Sequence, residues 1–168
     1  MTLLTEKWQG LFSFVRLDST VSEDASELRE ASQKAEDDYS NSASIGLYRR
    51  QLLEALVNAF EEAGEENWDG YGASAADPRA YEYAVRLLSQ FPTTIPRPDI
   101  AIDVDGHVAL EWDFEPRRIV SVRVGGDGTI YYAGLLGYST FHGSEVPSDS
   151  IPDAVAQAID RVLNATTR

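Results

Sequence analysis

The feature that most constrains this chain is a change of hydrophobic period. Between residues 98 and 142 apolar side chains recur at every second position, the spacing of strands with one buried face. Ile100 and Ile102, then Val108, Leu110 and Trp112, alternate with Ala101, Asp103, Ala109, Glu111 and Asp113. Val120, Val122 and Val124 alternate with Ser121 and Arg123, Ile130 and Tyr132 continue the pattern, and 138–142 are long enough for a fifth strand. Two connections carry Asp-Gly, at Asp105-Gly106 and Asp127-Gly128. Parity decides their register. A two-residue loop over Asp105-Gly106 pairs Ile100 with Glu111, mixing apolar and charged groups on one face. A three-residue loop, Val104-Asp105-Gly106, pairs Ile102 with Val108 and Ile100 with Leu110, and puts glycine where the backbone must turn left-handed. The same construction over Gly126-Asp127-Gly128 pairs Val124 with Ile130 and Val122 with Tyr132. Both hairpins predict an antiparallel meander of four to five strands.

Helical spacing surrounds this sheet. Residues 45–63 place Leu52, Leu53, Leu56, Phe60 and Ala63 on one stripe. Asp77-Pro78 opens a second helix, aspartate capping free amides and proline filling the first position without losing a hydrogen bond. Its buried side is Ala84, Leu87, Leu88 and Phe91, and Pro92 ends it. A last helix is expected from Ser150, with Ile151, Val155, Ala158, Ile159 and Val162 toward the core. The first 44 residues read as an extension of the same domain. They offer a short strand at 11–17, a helix at 22–38 with a thin seam of Val21, Ala25, Leu28, Ala31 and Ala35, and a polar linker at 37–44. The predicted class is α+β: a meander packed on one face by helices, with an N-terminal helical extension and a core at 45–168.

Charge and composition narrow the function. The 168 residues carry 14 basic and 28 acidic side chains, a formal charge of −14, and no cysteine. Thiolate metal sites, disulfides and cysteine nucleophiles are excluded. Direct attraction to nucleic acid or anionic lipid is opposed by the charge. No export leader or spanning segment is legible, so a cytoplasmic protein is expected. Residues 51–78 hold seven acids and no base, and 124–160 hold five acids and no base. Such a surface steers association with a basic partner and can occupy a groove meant for nucleic acid.

The most distinctive segment is Glu65-Glu66-Asn67-Trp68-Asp69-Gly70-Tyr71-Gly72-Ala73. One reading makes it a structured turn in which Trp68 and Tyr71 plug the gap between helix and sheet. The other makes it a partner loop, with aromatic platforms beside the carboxylates of Glu61, Glu62, Glu65, Glu66 and Asp69. The stretch Asn67 to Ala73, the following helix, Pro96-Arg97-Pro98, and Asp105-Gly106 with Leu110-Glu111-Trp112 resemble a widespread group of small uncharacterised bacterial proteins. The likeness spans about 65–162. It implies a bacterial or phage origin and makes the tryptophan-glycine loop the hallmark, without assigning an activity.

A second candidate is carboxylate-rich. Asp99, Asp103, Glu111 and Asp113, with His107, fall on the non-core face of the first hairpin, in a stretch free of lysine and arginine. Converging oxygens there would suit magnesium or calcium, as a small metal-dependent hydrolase requires. Yet Asp103-Val104-Asp105-Gly106 lacks the later ligands of an EF-hand loop, and a solvated sheet face explains the acids as well. No Gly-x-Ser-x-Gly elbow occurs, and Gly125-Gly126-Asp127-Gly128 lies between strands, not before a helix. Only two histidines are present, His107 and His142. This poverty favours a non-catalytic, cofactor-free binding protein over the hydrolase. The expected class is an inhibitor or neutraliser of a basic or nucleic-acid-binding partner, of the antitoxin, immunity or anti-defence kind.

Overall fold

The computed structural model describes residues 23–146 and 149–165. The expected strand at 11–17 and Val21 lie outside them. The elements run α1 (Glu23–Glu62), α2 (Pro78–Ser89), β1 (Asp99–Ile102), β2 (Val108–Glu115), β3 (Arg118–Val124), β4 (Ile130–Leu136), β5 (Ser139–Glu145) and α3 (Asp153–Leu163). The strands form one five-stranded antiparallel sheet in the order β1-β2-β3-β4-β5, a plain meander. The fold is therefore α+β, as the alternating pattern predicts.

Both hairpins have the three-residue register. Ile102 faces Val108, Ile100 faces Leu110 and Asp99 faces Glu111. Val124 faces Ile130 and Val122 faces Tyr132. In the first turn the Gly106 amide donates to the Asp103 carbonyl at 3.0 Å, and in the second the Gly128 amide donates to the Gly125 carbonyl at 2.9 Å. Gly106 (φ +80°) and Gly128 (φ +84°) take the left-handed conformation that closes such loops.

One sheet face is dry. Val108, Leu110, Val120, Val122 and Val124 are completely buried beneath α2 and α3, in one core with Leu52 and Leu56 of α1. Asp77 caps α2 by accepting the Arg79 amide at 2.8 Å, and Ala80, Ala84, Leu87 and Leu88 form its buried side. The connection after α2 is fastened twice. The Tyr48 hydroxyl donates to the Ile95 carbonyl (2.8 Å) and the Trp112 indole to the Pro96 carbonyl (2.7 Å). Burial pushes the Tyr48 phenol above its ordinary range, which keeps it a donor.

Three local expectations are corrected. The polar linker at 37–44 is helical, so the two expected N-terminal helices are a single element, α1. No proline interrupts this stretch, and the Ser42 hydroxyl bonds back to the Asp38 carbonyl at 2.8 Å, satisfying itself inside the helix. Contacts nevertheless divide the chain at Ser44/Ile45 into two units, 1–44 and 45–168. Leu53 does not join the buried stripe: it is 37% exposed, as is Val57 one turn on, while Leu52 and Leu56 are buried. α3 begins at Asp153 instead of Ser150, because Pro152 biases Ile151 away from helical geometry. Ile151 still packs against the core.

Candidate functional site

The loop after α1 is held almost entirely by its own residues. Asn67, in the left-handed region (φ 62°), donates its amide to the Ala73 carbonyl at 2.7 Å and so closes the loop. Its carbonyl accepts the Gly70 amide (2.9 Å) and its side-chain oxygen accepts the Gly72 amide (2.7 Å). Asparagine is one of the few side chains that tolerate this φ while offering an acceptor. Asp69 accepts the amides of Tyr71 (2.8 Å) and Ala73 (3.1 Å), and those bonds hold its carboxyl below the ordinary carboxylate range. The Trp68 indole donates to the Ser74 carbonyl at 3.1 Å. From Asn67 to Ala73 every residue thus takes part in closing the loop, Tyr71 through its amide alone.

Tyr71 is 95% exposed at the tip, and Trp68 is 39% exposed. The gap-filling expectation is therefore wrong for Tyr71. Its ring is held out by a backbone that other residues fix. Glu61, Glu62, Glu65 and Glu66 are all exposed around the helix end, and among the described residues no cation pairs with them.

The loop is bolted to the end of the sheet. Ser74 donates its amide to the Val104 carbonyl (2.9 Å), and Asp77 donates to the Gly106 carbonyl (2.8 Å). The approach is so close that a Cβ on Gly106 would overlap the Ala75 carbonyl, and one on Gly126 would overlap the Asp77 carboxylate. Residues 74–77 consequently touch both Asp-Gly turns, bringing the loop and the turns to one pole of the sheet. Asp127 belongs to this pole. The Thr129 amide and hydroxyl, with a smaller contribution from the His107 charge, hold its carboxyl below the ordinary range.

The carboxylate cluster divides into separate parts. Asp103, Asp105 and His107 bring one ligand atom each within 4.8 Å of one another. However, the Asp103 carboxylate already accepts the amides of Asp105 and His107, each at 2.9 Å, as a turn-forming side chain. Arg123, projecting from β3, lays one guanidinium nitrogen 3.2 Å from Asp103 and 3.3 Å from Asp105. A cation therefore stands between these carboxylates and is supplied by the chain. Asp99 lies farther along β1, roughly 13 Å from Asp103 at strand rise, opposite Glu111, which accepts the Ser121 hydroxyl at 3.0 Å. Asp113 faces Ile119 beside a bulge. The five residues do not form one centre. The strand 98–116 has no base of its own, and the missing positive charge comes from its neighbour. Parity of β3 puts Arg123 on this outer face, so the signal was present in the alternation. His142 is exposed on β5 opposite Ala133.

Compared with protein families, curated proteins and solved structures, the chain finds no match. Among the described residues, no helix is long and apolar enough to cross a membrane.

Proposed function

We propose that this chain is a non-catalytic, acidic protein-binding module that docks a basic or nucleic-acid-binding partner and neutralises it. The observation that carries the reading is Tyr71: a large aromatic side chain, 95% exposed, on a loop locked by its own hydrogen bonds. Aromatic side chains are frequent anchors of interfaces. A backbone ordered in advance avoids the cost of fixing the loop on association, about 1–2 kcal/mol for each residue ordered. The acids around the loop add steering toward positive charge. An antitoxin, immunity or anti-defence role in the cytoplasm of a bacterium is the setting that the loop motif and the charge suggest together. The hydrolase reading is weaker, because a metal at Asp103 and Asp105 would have to displace Arg123.

The test is capture of the partner from a bacterial host lysate, followed by stopped-flow mixing at two salt concentrations. Neutralising Glu61, Glu62, Glu65 and Glu66 together is expected to slow association with little change in dissociation. Tyr71→Ala is expected to leave association nearly unchanged and speed dissociation by tenfold or more, equal to about 1.4 kcal/mol. An association rate indifferent to salt and to all four neutralisations, with dissociation indifferent to Tyr71→Ala, would overturn the proposal.

A further inference from the structure

The two edges of the sheet are unlike. β1 has four residues and follows Pro96 and Pro98, so one edge is short and closed off by residues that cannot donate. β5 has seven residues, Ser139-Thr140-Phe141-His142-Gly143-Ser144-Glu145, paired one-to-one with β4 without a bulge. It carries no proline and no lysine, and Glu145 is its one charged residue. Among the described residues, its backbone hydrogen bonds go to β4 alone. Among the described residues, β5 has no proline, lysine or bulge to blunt the edge.

We infer that β5 pairs antiparallel with β5 of a second copy of this chain, joining two meanders into a ten-stranded sheet about a two-fold axis at His142.

The choice of a second copy rests on charge and fit. In a chain of net charge −14, β5 carries a single acid, so two copies can meet along it with little repulsion. A cleft of about 220 Å³ between β5 and α3, lined by Tyr132, Ala154, Gln157 and Arg161 among others, contains no acid, and Arg161 is its one full charge. Antiparallel pairing centred on residue 142, the midpoint of the strand, engages all seven residues. It sets Glu145 against Ser139 of the other copy, Thr140 against Ser144, and Phe141 against Gly143, so no like charges face each other. Inside the sheet the bulky rings of this face are already seated on glycine, so the pairing leaves their packing undisturbed. A Cβ on Gly134 would overlap the Phe141 ring, and one on Gly143 would overlap Tyr132. A shift by one residue would turn the inner face outward. The Trp68–Tyr71 loop, fastened to the β1–β2 turn, lies away from this edge and stays free.

Sedimentation velocity on the full chain, from about 5 to 200 µM, tests the pairing by mass action. The wild type is expected to shift from monomer to dimer across that range. Thr140 and Ser144 are both exposed, so charge placed there leaves the core intact, with circular dichroism as the check. The double variant T140K/S144K sets lysine against lysine twice and is expected to lose the dimer. The double variant T140K/S144E sets lysine against glutamate twice and is expected to keep it, with dissociation constants at least about tenfold apart. A wild type monomeric throughout would overturn the inference. So would two double variants that dimerise alike, or two that both fail.

Discussion

Gly106 shows how much one residue decides. It combines a left-handed backbone with an Ala75 carbonyl standing where a Cβ would go, whereas Gly70 has the same kind of φ and open space around it. Gly70→Ala is therefore expected to cost about 1–2 kcal/mol, the strain of φ alone. Gly106→Ala should cost roughly 2–5 kcal/mol, because overpacking against backbone is added. Urea denaturation of the two variants, compared at equal m-value, separates the contributions. Arg123 is the second decisive residue. Calorimetry with magnesium, manganese and calcium is expected to show no micromolar binding to the wild type. Arg123→Ala, which frees Asp103 and Asp105, should gain affinity for calcium first, since flexible oxygen sites suit it best.

Among the elements, α3 depends on a neighbour for its ending. The Arg118 guanidinium, from the start of β3, donates to the Val162 and Leu163 carbonyls at 2.9 and 3.0 Å. These are orphan acceptors at a helix C-terminus, where positive charge is also favoured. Arg118→Ala should destabilise the fold by about 1–3 kcal/mol, measured by thermal and urea unfolding. Arg118→Lys should recover less than half, because both bonds come from one terminal guanidinium nitrogen, and the shorter lysine side chain places its ammonium short of that position. The helix starts were readable in sequence where the chemistry was local, as at Asp77-Pro78. The continuity of α1 through 37–44 was not, since serine, asparagine and aspartate serve both turns and exposed helical faces.

For the whole molecule, two carboxylates at the polar pole contribute to the response to acid. Asp69 and Asp127 have folded pKa values below the ordinary 3.8. Their contribution is complete above that unfolded value and disappears as pH falls through the lower folded values. Urea midpoints of the wild type should therefore fall with acid below about pH 4, and those of the Asp69→Asn and Asp127→Asn double variant should fall less over the same interval. Equal slopes would mean that other carboxylates govern acid unfolding.

The amino-acid sequence by itself determined the meander, its register, the buried face and the helix that follows Asp77. Each of these is written in periodicity and turn chemistry between residues close along the chain. Only the tertiary structure decided that the Trp68–Tyr71 loop shares one pole with both Asp-Gly turns, that Tyr71 stands outside the core, and that Arg123 reaches the carboxylates of a different hairpin. The shared pole arises where Asp77 bonds to Gly106 and the Ala75 carbonyl fills the space a Cβ there would take, and the Arg123 contact arises from the pairing of β3 with β2. Such approaches join segments distant in sequence, and neither hydrophobic period nor local propensity encodes which loop will fill which gap.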